Sequence, residues 1–216
     1  MKKFFLFLLV LGVGVSLFAQ VQLPEHHFAS GRWNMSGDRL YQNEAGARLA
    51  KVNMLIPQGG PMIYEFNARY EDGLDDGHGG FGIHIFASDV LHSASWGSGV
   101  SYLLWLNYDE NPITPGIHRG LSAQVYRSYS NSRMDLLESV DLNEYVPLLT
   151  DEDLLYPIPF RIWADGNTGE VRVYDPSDPE LLDYYYFFID RSVLPLSGNW
   201  ISLRTNGFSL SFGMGL

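Results

Sequence analysis

The sequence contains no cysteine. Disulfides, thiolate metal ligands, a cysteine nucleophile and a lipid-modified cysteine are therefore excluded, and stability has to come from a packed core.

Basic residues are also scarce, because 14 lysines and arginines stand against 25 aspartates and glutamates, giving a formal net charge of −11. Nucleic acid and anionic lipid surfaces are poor partners for a chain of this charge.

Long apolar runs are almost absent. The exception covers residues 4–18, which follow two lysines and precede the small residue Ala19. This pattern predicts a secretory signal peptide over residues 1–19, and the run is too short to favour a membrane span. We therefore expect a mature protein of 197 residues (216 minus 19) that starts near Gln20, is periplasmic or secreted, and forms a single domain over residues 20–216.

Short segments in which apolar and polar residues alternate dominate the rest of the chain. They begin near Gly31 and are separated by turn residues, which is the pattern of β-strands with one buried face. Strands of this kind need a second sheet to cover their apolar faces. We therefore predict an all-β fold, an antiparallel β-sandwich of the jelly-roll kind.

The apolar side of each alternating segment predicts the core of the sandwich. We expect the following side chains in the interior: Ile83, Ile85, Leu104, Leu106, Ala123, Val125, Phe160, Ile162, Val171 and Val173.

Two connections have distinct signatures. The segment 133–159 breaks the alternation and is predicted to be the longest irregular region, with a short helical turn inside it. The stretch ADGNTGEVRVYDP predicts a tight hairpin, because Asp165, Gly166, Asn167 and Gly169 tolerate positive φ between two alternating runs.

An acidic, glycine-rich stretch, EDGLDDGHGG at residues 71–80, is a candidate cation site. Its glycines formally match a dinucleotide fingerprint, but a predicted strand follows where that motif requires a helix. An EF-hand register fails because it would need oxygen ligands at two apolar positions. A looser calcium site built from Asp72, Asp75 and Asp76 stays open, and so does a flexible acidic connection without a ligand.

The familiar signatures of enzymes are missing from the sequence. It has no His-Glu-x-x-His, no serine elbow and no phosphate-binding lysine loop. Glycoside hydrolysis needs two carboxylates close together, which no predicted strand supplies on one face. Asp151 and Asp153 have the right spacing but fall in a predicted loop. A non-catalytic protein is therefore favoured. The alternative is a glycoside hydrolase whose active site is not recognisable in the sequence.

A candidate ligand surface follows from three consecutive predicted strands, FGIHIFAS, SYLLWLNYD and LSAQVYRS. Opposite the predicted core they carry aromatic rings and planar amides, which suit a saccharide because its ring face stacks while its hydroxyls make directional hydrogen bonds. The candidate residues are Phe86, Trp105 and Tyr126 for stacking and His84, Asn107 and Gln124 for polar contacts. The alternative is that a loop such as 133–159 covers the rings, which then form a second small core.

Four parts of the chain carry a family resemblance: GRWNMSGDRLYQ, the pair GFGIHIF and SYLLWLNYD, the hairpin IPFRIWADGNTGEVRVYDP, and GNWISLRTNGFSLSFG. From Gly31 to Phe212 they resemble the concanavalin A-like lectin/glucanase superfamily, especially its laminin-G-like and 3-keto-disaccharide-hydrolase-like members. The resemblance implies a concanavalin A-like sandwich. The Glu-x-Asp-x-x-Glu strand of the glucanase branch is missing, so no catalytic residue is carried over. The rim-loop calcium of laminin-G-like members does not align with the three aspartates of the acidic stretch.

These features favour an exported, non-catalytic sandwich that binds a carbohydrate or a protein in the cell envelope. Calcium, at the three aspartates of the acidic stretch, is the one cofactor that the sequence suggests. The main alternative is a structural envelope protein, such as a coat or sheath subunit of an extracytoplasmic filament, in which sheet edges and loops contact other chains.

Overall fold

The computed structural model describes residues 23–73, 76–143, 156–177, 180 and 183–214. Strands make up nearly all of the regular structure. In chain order they are β1 (His26–Ser30), β2 (Trp33–Ser36), β3 (Arg39–Gln42), β4 (Ala50–Gly59), β5 (Pro61–Gly73), β6 (His78–Ala87), β7 (Ser101–Asp109), β8 (Gly120–Ser128), β9 (Met134–Asp141), β10 (Ile158–Asp165), β11 (Glu170–Tyr174), β12 (Asp183–Phe188), β13 (Ser197–Asn206) and β14 (Phe208–Met214). No helix in these residues is long and apolar enough to cross a membrane.

The described strands form two antiparallel sheets of seven strands each. The first sheet has the order β1-β4-β13-β6-β7-β8-β9, and the second has the order β12-β11-β10-β5-β14-β3-β2. The predicted all-β sandwich is confirmed. The three strands of the candidate ligand surface, β6, β7 and β8, are direct neighbours in the first sheet, as the sequence predicted.

Side chains that alternate along the strands meet between the two sheets. Phe81 of the first sheet contacts Phe160 and Phe212 of the second, with ring centroids 5.5 and 6.0 Å apart. The predicted core residues are buried, except that Leu106 is only partly buried. Leu106 packs both against the main core and against a smaller cluster of Leu121, Ala123 and Leu142. Burial of these apolar side chains between the two sheets therefore holds the sandwich together.

The prediction of an irregular segment over 133–159 is wrong at its start, because Met134–Asp141 form β9. This strand lies at the edge of the first sheet, and its side chains are half-buried or exposed. A strand that buries neither face does not need alternation, so its sequence shows none. Residues 144–155 of this segment lie outside the described part of the chain.

The predicted tight hairpin joins β10 and β11. Asp165 organises it: one carboxylate oxygen accepts a hydrogen bond from the Asn167 amide at 2.8 Å, and the other accepts one from the Thr168 hydroxyl at 3.1 Å. Gly169 closes the turn with a φ of +79°, a conformation that glycine adopts without strain. The predicted positive φ is therefore confirmed at Gly169, whereas Asp165, Gly166 and Asn167 do not adopt it and Asp165 acts as a hydrogen-bond acceptor.

Candidate functional site

The candidate site is the outer face of the first sheet, on the side away from the core. Register pairs Trp105 with Gln124, and Asn107 with Ser122, across β7 and β8. Period-two alternation along β8 places Ser122, Gln124 and Tyr126 on this same face. The structure thus brings together four of the predicted site residues, Trp105, Asn107, Gln124 and Tyr126.

The indole of Trp105 lies across the neighbouring strand β6 at Gly80. A Cβ at Gly80 would lie 2.3 to 2.6 Å from three atoms of that indole, so a side chain there would displace the ring. Trp105 is only 7% exposed. Gly80, at the end of the acidic stretch, therefore has a packing role, because the absence of a side chain leaves room for an aromatic ring from the next strand.

The Trp105 indole also sets the orientation of the Asn107 amide. Trp105 Nε1 donates a hydrogen bond to Asn107 Oδ1 at 3.1 Å. Because an indole N–H can only donate, the oxygen of the amide must face it, and Nδ2 points elsewhere. Asn107 is 6% exposed and its Nδ2 is buried without a partner among the described residues.

A second chain of hydrogen bonds runs along β8 beside the first. The Tyr126 hydroxyl donates to Gln124 Oε1 at 2.6 Å, and Gln124 Nε2 donates to Ser122 Oγ at 3.2 Å. Both chains run toward the paired positions Asn107 and Ser122. An amide nitrogen and a hydroxyl, both hydrogen-bond donors, therefore lie at paired positions on one face, where Asn107 is 6% and Ser122 0% exposed.

Residues 88–100, between β6 and β7, lie over another part of this face; we call them the 88–100 loop. Lys51 of β4 holds the loop, because its Nζ donates to the carbonyl oxygens of Ser95 and Gly97 at 2.9 and 2.8 Å and to the hydroxyls of Ser95 and Ser98 at 2.7 and 3.1 Å. Lys51 is completely buried. Burial lowers the pKa of its ammonium to about 7, and the nearby Arg204 guanidinium contributes in the same direction.

Arg204 of β13 lies between two tryptophans on the same face. Its guanidinium carbon is 4.8 Å from the ring centroid of Trp96, in the 88–100 loop, and 5.4 Å from that of Trp105. Arg204 Nη1 also donates a hydrogen bond to the Trp96 carbonyl. Burial lowers the pKa of Arg204 to about 10.

Trp96 was not among the residues predicted from the sequence. It is 47% exposed, whereas Trp105 is almost fully buried. It lies outside the alternating segments, in SASWGSG, where no periodic pattern assigns a side chain to a face. The feature of the sequence that could have identified Trp96 is a single tryptophan among small and polar residues.

Two predicted site residues are placed differently from the expectation. Phe86 is wrong as a member of the outer face: its φ of +54° interrupts the alternation, and its side chain is buried in the main core between the sheets. His84 does lie on the outer face but is fully buried, with Nδ1 3.0 Å from Ser101 Oγ. Burial lowers the pKa of His84 well below its usual value. Among the described residues the 88–100 loop lies over this face; residues 144–155 of the other predicted cover, segment 133–159, lie outside the described part of the chain.

The acidic stretch connects β5 of the second sheet with β6 of the first. Asp72 and Asp76 use carboxylate oxygens locally, accepting hydrogen bonds from the amides of Gly73 at 2.9 Å and His78 at 3.1 Å. Asp76 also pairs with Arg48 at 2.9 Å. The described residues contain no group of three or more potential metal ligands, and Asp75 lies outside them. Calcium binding by the three aspartates stays a prediction.

Solved structures share this architecture. The carbohydrate binding module CBM66 from Bacillus subtilis has a TM-score of 0.54 and 10% sequence identity, over 89% of this chain and 94% of its own. The fold is a lectin-type β-sandwich. A Bacillus subtilis protein of unknown function with a galectin-like fold also has a TM-score of 0.54, with 14% identity over 88% of this chain and 87% of its own. The concanavalin A-like architecture implied by the resemblance is thereby confirmed, while identities this low carry no function. No family model and no curated protein matches the sequence.

Proposed function

We propose that this protein is a non-catalytic carbohydrate-binding protein that acts outside the cytoplasm, and that it holds a saccharide on the outer face of β7 and β8. The observation that carries the proposal is the unpartnered Nδ2 of Asn107. A buried amide hydrogen without an acceptor costs free energy and calls for an explanation. The hydroxyl or ring oxygen of a bound saccharide would supply the missing acceptor.

The surrounding side chains support the same ligand class. Gln124 and Ser122 lie in register with the Trp105–Asn107 pair, so polar groups on two neighbouring strands lie side by side. Saccharides combine apolar ring faces with hydroxyls, and they bind where an aromatic ring lies beside such directional groups. Trp96 is the exposed ring near this face, and Tyr126 is partly buried. We therefore propose Trp96 and Tyr126 as the stacking rings and Asn107 with Gln124 as the polar contacts.

Action outside the cytoplasm is supported by residues 1–19, whose basic start and apolar run have the form of a secretory signal peptide. An envelope protein as partner is a further proposal. The geometry of the proposed saccharide site does not depend on export or on such a partner.

A glycan array tests the proposal, with the mature protein applied both with and without calcium. We expect at least one glycan to bind, and Asn107→Ala to weaken that binding about tenfold, the effect of losing one hydrogen bond of about 1.4 kcal/mol. Asn67→Ala is the matched control: Asn67 is an asparagine of β5, in the other sheet, where its Oδ1 accepts a hydrogen bond from Arg39 at 2.6 Å. This control should bind as wild type does.

Two results would contradict the proposal. The first is a folded wild-type protein that binds no glycan on the array. The second is a bound glycan whose affinity falls equally in Asn107→Ala and Asn67→Ala, because that would place the saccharide elsewhere. Binding that requires calcium would support the cation site predicted for the three aspartates.

A further inference from the structure

The outer face of the first sheet concentrates positive charge in an acidic protein. The formal net charge of the chain is −11, yet Lys51 and Arg204 lie directly opposite each other on β4 and β13. Their exposed fractions are 0% and 2%. Within the described ranges, neither side chain forms an ion pair, since all the ion pairs found there involve other residues.

Two of the unpartnered hydrogen-bonding groups on this face are donors beside Trp105. Arg204 Nε and Asn107 Nδ2 are both buried without a partner among the described residues. Trp105 joins these two donors, because its indole N–H bonds to the Asn107 amide and its ring lies 5.4 Å from the Arg204 guanidinium carbon. An arginine and an asparagine N–H₂ can only donate, so a ligand that satisfies them has to offer oxygens as acceptors.

The acidic side chains next to the Asn107–Ser122 pair are already engaged. Asp109, two residues after Asn107 on β7, is 15% exposed; its Oδ1 accepts a hydrogen bond from the Asn111 amide at 2.9 Å, and its Oδ2 lies 3.9 Å from His78 Nε2. Asp141 of β9 is opposite Ser122, and one of its carboxylate oxygens accepts hydrogen bonds from Asn143 N at 2.9 Å and Asn143 Nδ2 at 2.7 Å. Its side chain is 49% exposed, so solvent screens its charge. The buried guanidinium of Arg204 is screened much less, and its field is therefore felt more strongly by a charge placed on this face.

We infer that the saccharide bound at this face carries an anionic group, a carboxylate or a sulfate ester, which lies near Asn107 and within the field of Arg204. This inference rests on the proposed carbohydrate binding and specifies its ligand class. A buried cation without a counter-ion destabilises the free protein, and an anionic ligand would relieve that cost on binding. A neutral saccharide would leave the charge of Arg204 without a counter-ion.

Matched pairs of oligosaccharides test the inference on the wild-type protein itself. One arm compares uronic acid oligosaccharides with the same compounds after reduction of their carboxylates to primary alcohols. The other arm compares sulfated oligosaccharides with their desulfated forms. Isothermal titration calorimetry at low salt should show the anionic member of at least one pair binding about tenfold or more tightly than its neutral partner, and added salt should reduce the difference.

Variants at Arg204 connect the preference to this face. Arg204→Gln should abolish most of the difference between the two members, while Arg204→Lys, which keeps the charge, should retain it. Arg161→Gln is the matched control, because Arg161 is an arginine of β10 in the other sheet, paired with Glu65. It should leave the preference unchanged.

Each outcome separates the two proposals. If both members of every bound pair bind equally, the anionic ligand is wrong while carbohydrate binding stands. The same conclusion holds if the preference survives unchanged in a folded Arg204→Gln. If neither member of any pair binds and the glycan array is also blank, the proposed function itself is wrong, and the inference falls with it. The comparison within pairs needs no variant, so it remains decisive even if Arg204→Gln does not fold.

Discussion

At the scale of single residues, the most informative side chain is Lys51. Removal of residues 1–19 would leave it as the only lysine of the chain, and its ammonium is fully buried under the 88–100 loop. Four hydrogen-bond acceptors surround it, but no carboxylate among the described residues pairs with it. Its sequence context, AKVNM at the start of an alternating segment, gives no sign that the lysine is buried, because burial comes from a loop that is distant in sequence.

The lowered pKa of Lys51 predicts how the stability of the protein depends on pH. Between about pH 7, the folded-state pKa, and 10.5, the ordinary value, the unfolded chain binds a proton that the folded protein does not. The free energy of unfolding should therefore rise with pH in this window, by up to about 1.4 kcal/mol per pH unit, and this gain should be complete above the ordinary pKa. Urea unfolding at about pH 7.5, 8.5 and 9.5 measures it, with Lys51→Met as the uncharged reference of similar length.

The wild-type stability should increase with pH relative to that of Lys51→Met. Parallel stability profiles for the two proteins would show that Lys51 titrates normally in the folded state. Measurement stops below pH 10 because burial raises the pKa values of Tyr64 and Tyr185, and their titration then opposes the lysine effect.

At the scale of elements, the face of β6, β7 and β8 shows which parts of the site alternation can predict. The assignment of Trp105, Asn107, Gln124 and Tyr126 to one face was predictable, because period two fixes the side of each residue once the strands pair. The error at Phe86 has a local cause, since one residue with positive φ reverses the alternation at the end of β6. The 88–100 loop could not be assigned to the face, because it has no period at all.

The packing of β7 against β6 predicts a large effect of one truncation. Trp105→Ala removes a buried ring that lies over Gly80, so it should reduce the free energy of unfolding by about 3–5 kcal/mol. Trp96→Ala is the matched comparison, because Trp96 is 47% exposed; its loss should cost about 1 kcal/mol or less, mainly through the lost contact with Arg204. Thermal and urea unfolding of the two variants measure the difference.

This pair also distinguishes the two interpretations of the aromatic rings that the sequence left open. If Trp105→Ala unfolds like wild type, its ring is not part of a packed cluster, and the ring is free to stack on a ligand. A large stability loss in Trp96→Ala would mean that the 88–100 loop depends on this ring for its position.

At the scale of the whole molecule, the proposal of export rests on residues 1–19 and not on the structure of the sandwich. If residues 1–19 are a signal peptide, the protein expressed with its full sequence in a bacterium should be recovered without them, and it should stay in solution without detergent. Intact-mass measurement of the purified protein should give a chain that starts near Gln20 and carries no lipid. A mass that includes residues 1–19, or a lipid adduct, would contradict the prediction.

The sequence by itself determined the class of fold, because period-two alternation leaves each strand with one apolar face that only a second sheet can cover. It determined the β10–β11 hairpin in the same way, since the turn chemistry of Asp165 and Gly169 is local. Only the tertiary structure decided how deeply the outer face is buried, because the 88–100 loop reaches it through Lys51 and Arg204, which are distant in sequence from the loop. It also decided the orientation of the Asn107 amide, which depends on a tryptophan whose ring occupies the space that a side chain at position 80 of the adjacent strand would need. Alternation and turn residues can be recognised along the chain itself. Contacts between strands and distant loops depend instead on which residues the fold brings together.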